Sequence, residues 1–232
     1  MATRIGALPS LLTVLLVSFG VILGFAVAAG ELLALAQQPD GSTAFDSSIT
    51  SWVVAHRTDG LTSAGHVLST IGSQTVLLPL VAIAVVALLW RRELAAAGLL
   101  VAAWGGALLL YSLTKHFVQR PRPPSHLWLT NVGRSSSFPS GHATQSLATL
   151  LALVAVGAVW LPRMRWPGRA LALLLAGAIG WSRVYLGVHW TTDVLAGWLI
   201  AAVWLGVVAW LRAAARSPAE KARVTGAVIR NG

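Results

Sequence analysis

The sequence predicts an all-α integral membrane bundle of six transmembrane helices, with short interfacial helices on the outer side. Three observations carry this expectation. Of the 232 residues, 56% are hydrophobic and only 10% charged, and the mean hydropathy is +0.73, outside the range of ordinary soluble domains. The apolar residues gather into six runs, most of them near the ~20 residues that cross a bilayer as a helix. The 17 Lys and Arg residues fall between those runs rather than in one stripe, a pattern of membrane orientation and not of a polyanion groove. The net charge of +10 therefore points to the bilayer as partner and to no nucleic acid.

In chain order the runs cover residues 11–36, 75–90, 94–113, 143–161, 170–186 and 194–211. Arg4 precedes the first run, Arg91 and Arg92 follow the second, and Arg163, Arg165 and Arg169 follow the fourth. Arg212, Arg216, Lys221, Arg223 and Arg230 follow the sixth. The positive-inside rule puts all of these in the cytoplasm, with both termini. Arg57, Lys115, Arg120, Arg122, Arg134 and Arg183 fall on the outer side.

Residues 1–216 form one expected transmembrane domain, and residues 217–232 a basic cytoplasmic tail. The first run also has features of a cleaved signal peptide, with Ala34, Leu35 and Ala36 as the cleavage segment. Its apolar stretch exceeds a secretory core, which favours a retained span. Between the first two runs, residues 37–73 carry turn signals at Pro39-Asp40-Gly41 and Asp59-Gly60. Phe45, Ile49, Trp52 and Val53, then Leu61, Ala64, Leu68 and Ile71, recur at helical spacing, so two amphipathic interfacial helices are expected. Gly20 and Gly24 have the spacing of a helix-contact face, within the chain or with a second copy. Most tryptophans flank the runs, as an aromatic belt does.

Three polar blocks stand at the outer ends of these runs: Lys115 with Arg122-Pro123, then Pro139-Ser140-Gly141-His142, then Ser182-Arg183 followed by His189 and Asp193. A charge at the hydrocarbon centre costs roughly 2.5–3.5 kcal/mol on insertion scales, so such a cluster of cations calls for an anion, and phosphate fits best. Ser140 stands where a helix N-cap is expected, and Gly141 offers an amide with no Cβ beside it; a helix start presents donors and positive dipole to an anion. His189 and Asp193 share a face if the last helix starts near Thr191 or a turn earlier. The carboxylate could then hold one ring nitrogen and leave the other free to attack. Lys115, Arg122 and Arg183 could neutralise a phosphoryl group. Each block alone also has an ordinary explanation: a capped helix, an interfacial histidine with a dipole-compensating acid, and cations that snorkel to headgroups.

Taken together, the blocks fill every fixed position of a three-part signature: Lys, six residues, Arg-Pro; Pro-Ser-Gly-His; Ser-Arg, five residues, His, three residues, Asp. The chain thereby resembles the type 2 phosphatidic acid phosphatase (PAP2) superfamily, the lipid phosphate phosphatases. The resemblance implies that His189 attacks phosphorus and forms a phosphohistidine while Asp193 holds its ring. It implies that His142 protonates the leaving oxygen and then activates water, and that Lys115, Arg122, Ser140, Gly141 and Arg183 bind the phosphoryl oxygens. The substrate it implies is a lipid phosphate or diphosphate at the outer face of a bacterial cytoplasmic membrane: undecaprenyl diphosphate, phosphatidylglycerophosphate or phosphatidic acid.

The inventory itself bears on cofactors. With no cysteine and seven acidic residues, of which only Asp193 lies in the blocks, a carboxylate-held two-metal site is not expected. His56, His66, His116 and His126 are scattered, and no metal or other cofactor is expected. A phosphotransferase, a vanadate-dependent haloperoxidase and a non-catalytic headgroup binder are the competing readings. The apolar runs oppose the haloperoxidase, whose members are soluble.

Overall fold

The computed structural model describes residues 7–133 and 135–215. Arg4, Arg134, Arg216 and the tail with Lys221, Arg223 and Arg230 lie outside them. All regular structure among the described residues is helical: α1 (Ala7–Leu35), α2 (Ala44–Ala55), α3 (Asp59–Ile71), α4 (Gln74–Trp90), α5 (Leu94–Phe117), α6 (Gly141–Gly157), α7 (Arg165–Tyr185) and α8 (Thr191–Ala215). Two single 3-10 turns stand at Ser125–Leu127 and Pro162–Met164.

The two amphipathic segments are α2 and α3, and local chemistry sets their starts. Thr43 and Asp46 form a reciprocal capping box at α2, and the Thr58 hydroxyl accepts from the Leu61 amide at the start of α3. Such caps contribute about 1 kcal/mol each. The α3–α4 break falls at Gly72, whose Cβ, if present, would lie 2.3 Å from the Ile179 side chain on α7.

By length and composition three helices can cross a membrane, over Ser10–Leu35, Leu94–Phe117 and Thr191–Ala215. A fourth is added if α3 and α4, bent by 41°, form one broken span. Among the described helices the apolar faces of α1, α4 and α8 are bare, with Phe25, Ile83 and Leu199 more than half exposed, as hydrocarbon contact requires. This is a multi-pass membrane protein. The remaining two apolar runs form α6 and α7: α6 is an apolar helix but only 17 residues long, and α7 carries Arg165, Arg169 and Arg183.

α6 is the centre of the bundle, packed against α5, α7 and α8. Small residues, Ala107, Ala148, Ala176 and Ala201, let the backbones approach around Leu110 and Trp204. Gly20 and Gly24 have no such role among the described residues, since a Cβ on either would meet nothing within 4 Å. Gly106 does: a Cβ there would lie 2.1 Å from the Trp204 ring, whose N–H is tied to the Ala102 carbonyl. Gly106→Ala should therefore lower the melting temperature in detergent by an overpacking cost of about 1–3 kcal/mol. Gly105→Ala, where a Cβ meets nothing within 4 Å, should leave it unchanged or slightly raised.

Candidate active site

The three blocks converge at the end of the bundle where α5 finishes and α6 and α8 begin. His189 lies between α7 and α8. Its loop turns at Gly187, which has φ +73 and packs so close to the Leu127 carbonyl that a Cβ would clash at 2.3 Å. Asp193 stands in the first turn of α8, and its Oδ2 is 3.3 Å from His189 Nδ1. The same oxygen accepts from the Trp190 amide at 2.9 Å and from the Ser137 hydroxyl. With a carboxylate as partner, Nδ1 carries the ring proton, and Nε2 accepts from Arg122 Nη1 at 3.2 Å. Burial, and then the positive charges of Lys115, Arg122 and Arg183, hold the His189 pKa well below the ordinary 6.5. The ring is therefore neutral, with an available lone pair directed at a cation.

Arg122 is fixed on its other edges by the Ser135 carbonyl and hydroxyl, each at 3.0 Å, and by the Val188 carbonyl at 2.6 Å. Its proline-rich loop is braced by two indoles: Trp128 donates to the Pro123 carbonyl and Trp190 to the Pro121 carbonyl. Trp190 is thus a buried buttress and not part of an aromatic belt. Lys115, near the end of α5, donates to the Ser136 and Ser137 carbonyls. Arg183, in the last turn of α7, donates to the Ser69 hydroxyl, and His142 stands beside the same residue. α3 thereby touches both residues.

Lys115, Arg122, Gly141, His142, Arg183 and His189 line one open cavity of about 250 Å³, with Tyr111 and Gln74 on its wall. The other two residues named from sequence, Ser140 and Asp193, are fully buried behind that wall. Ser140 occupies the N-cap position of α6, but its side chain does not cap the helix. Instead its amide bonds the Asp193 carbonyl at 3.0 Å, tying the start of α6 to α8, while its hydroxyl is buried with no partner. The first-turn amides of α6 are left without a side-chain acceptor at the cavity edge, a ready anion site. Gly141 is tightly packed as well: a Cβ would meet the Tyr111 ring at 3.0 Å, and that ring would have to give by a few tenths of an ångström.

Four participants escaped the sequence reading: Ser137, Ser69, Arg120 as more than a surface cation, and Asp46. Arg120 is buried between Asp46 and Asp193, 2.7 Å from each carboxylate, so a second acid does reach the neighbourhood, with a guanidinium separating it from the first. No local pattern marks Arg120 or Asp46; Ser137, two residues before Pro139, could have been suspected from position alone. No three His, Asp or Glu side chains converge among the described residues, and His56, His66, His116 and His126 do not gather.

Three cations and two imidazoles line one cavity at the end of the helical bundle, a candidate oxyanion site. A family model of the PAP2 superfamily matches residues 94–217, and the chain belongs to that family. It is 33% identical over 142 residues to the undecaprenyl-diphosphatase of Sulfolobus acidocaldarius, an alignment covering 57% of this chain and 62% of that one, less than two thirds of the relative's length. It is 30% identical over 171 residues to phosphatidylglycerophosphatase B of Bacillus subtilis, covering 72% of this chain and 82% of the relative. Among solved structures, the PAP2-type phosphatidylglycerolphosphate phosphatase of B. subtilis superposes with a TM-score of 0.73 at 25% identity, covering 84% of this chain and 98% of the other. Family and relatives alike put the chain in a class of membrane phosphatases.

Proposed function

We propose that the protein hydrolyses a lipid phosphate or diphosphate at the outer membrane face through a phosphohistidine. The observation that carries this reading is the shared cavity: His142, His189, Lys115, Arg122 and Arg183 line it together, with His189 oriented by Asp193 behind it.

In the first step His189 Nε2 attacks phosphorus in line. The phosphorus–oxygen bond to the lipid breaks, and His142 gives its proton to the leaving oxygen. Lys115, Arg122, Arg183 and the Gly141 amide hold the equatorial oxygens, where transition-state charge is spread; the Ser140 hydroxyl, buried behind the cavity wall, is not among these ligands. In the second step His142 takes a proton from water. That water attacks the phosphohistidine, the phosphorus–nitrogen bond breaks, and inorganic phosphate leaves. No metal enters either step.

The membrane reading that accompanies this is six spans, α1 and α4 to α8, with both termini cytoplasmic. At 17 residues, α4 and α6 reach about 26 Å, just short of a ~30 Å hydrocarbon core, a mismatch that local thinning and snorkelling absorb. The basic residues Arg91, Arg92, Arg163, Arg165, Arg169 and Arg212 stand at the end opposite the cavity in this topology, and a cytoplasmic position for them supports an outward-facing site. Undecaprenyl diphosphate is the favoured substrate, from the activity named for the archaeal relative; phosphatidylglycerophosphate follows from the Bacillus one.

The test is phosphate release by purified protein in detergent with excess EDTA, across undecaprenyl diphosphate, phosphatidylglycerophosphate and phosphatidic acid. Release undiminished by EDTA, with one lipid preferred by an order of magnitude or more, is the expected result. Release only after divalent ions are restored would overturn the metal-free mechanism, and no release from any lipid would overturn the phosphatase.

A further inference from the structure

Behind the imidazole and its carboxylate runs a buried ion chain that the motif blocks do not contain in full. Arg120 donates Nη1 to Asp193 and Nη2 to Asp46, each at 2.7 Å, and the three side chains have no exposed surface. Its Nε and Nη2 also donate to the Gly41 carbonyl, at 3.2 and 3.1 Å, and Nη1 reaches the Thr192 hydroxyl at 2.7 Å. Gly41 can deliver that carbonyl because it is a glycine: its φ is +85, and a Cβ would lie 2.4 Å from Pro121. Asp46 meanwhile accepts from the Thr192 amide and hydroxyl, each at 2.9 Å, in the turn of α8 that carries Asp193. Asp46 stands on α2, outside the residues matched by the family.

We propose that Asp46 and Arg120 are positioning residues for the phosphoryl-transfer step, acting on His189 through Asp193. The inference rests on His189 being the nucleophile. Its physical basis is charge. Arg120 paired with Asp193 alone would cancel the negative charge that the carboxylate presents to the ring. Shared between two carboxylates, it leaves the three-residue unit at net −1. Asp193 is then held rigidly by its outer oxygen while still able to stabilise the positive charge that a phosphorus–nitrogen bond places on the imidazole. Asp46 also accepts from the α8 start, so one side chain sets both the charge and the placement of the turn.

The experiment compares wild type, Asp46→Asn, Asp193→Asn and the double variant as full-length protein in detergent. It measures kcat and KM per folded molecule, and the rate at which 32P from a labelled lipid phosphate enters the protein. Asp46→Asn should lower kcat and the labelling rate about 10–100-fold, the range seen for partners that orient a functional histidine, with KM within about twofold. In the Asp193→Asn background it should add no further loss, because both act through one group. If Asp46→Asn does not fold, Arg120→Lys replaces it, since lysine keeps the charge but cannot fork between two carboxylates, and the same split is expected. Wild-type kcat per folded molecule in these variants, even with a lowered melting temperature, would reduce the chain to a structural brace and overturn the proposal, as would a change in KM alone. Wild-type turnover in Asp193→Asn would instead sink the phosphohistidine reading, and this inference with it.

Discussion

Replacing His189 with Ala should abolish lipid phosphate hydrolysis, with kcat falling by more than about 10⁴-fold, as removal of a covalent nucleophile does in enzymes whose groups act as a unit. No 32P should enter the protein from labelled substrate. The bound lipid should be retained, because Lys115, Arg122 and Arg183 remain around the cavity. A non-catalytic headgroup binder would show the reverse, unchanged function with the histidine gone. The pH dependence has a defined sign. A depressed His189 pKa means that the neutral, nucleophilic ring persists as pH falls through the ordinary 6.5. The enzyme's acid limb in kcat/KM should therefore lie below 6.5, once corrected for the substrate's own second phosphate ionisation near ~6. A limb at or above 6.5 that belongs to the enzyme would contradict the burial and charge around this ring.

Replacing His142 with Ala should cost about 10²–10⁴-fold in kcat, the range for a general acid and base, and should separate the two half-reactions. With a lipid substrate, whose alcohol or phosphate leaves poorly without a proton, labelling itself should slow. With an aryl phosphate, whose leaving group needs no proton, the phosphohistidine should form and then persist, because no base activates water. Trapping acid-labile, base-stable 32P in His142→Ala with the aryl substrate, and none in the double variant with His189→Ala, is the expected pattern. Equal labelling and equal turnover of both substrates would remove His142 from the chemistry. Its ring lines the cavity with Arg183, so a loss confined to KM would assign it to binding instead.

The helices were legible because each is long and locally patterned, and their caps sit in the same short segments: Thr43 with Asp46, Thr58 with Leu61. The blocks were legible because their residue types are costly beside a membrane and fall at fixed spacings. The runs at 143–161 and 170–186 are found as helices α6 and α7, but α6 is only 17 residues long and α7 carries arginines at both ends, so length and composition do not by themselves make either a span. Ser140 was read as a side-chain cap because its position is right, but its amide is engaged by Asp193 and its hydroxyl is left unpartnered.

By itself the sequence determined that this chain is helical and membrane-embedded, and that its cations, imidazoles and single block carboxylate fall at the spacings of one family signature. Those properties reside in periods of a few residues and in the cost of charge near hydrocarbon. Only the tertiary structure decided what stands behind His189 and its carboxylate partner: Arg120 between Asp46 and Asp193, 74 and 73 residues away along the chain, Ser137 on Asp193, and Ser69 beside His142 and Arg183. A buried ion pair leaves no periodicity to read. Its partners are brought together by the packing of α2 and α3 against the bundle, and their worth comes from exclusion of water, which no residue possesses until the chain has folded.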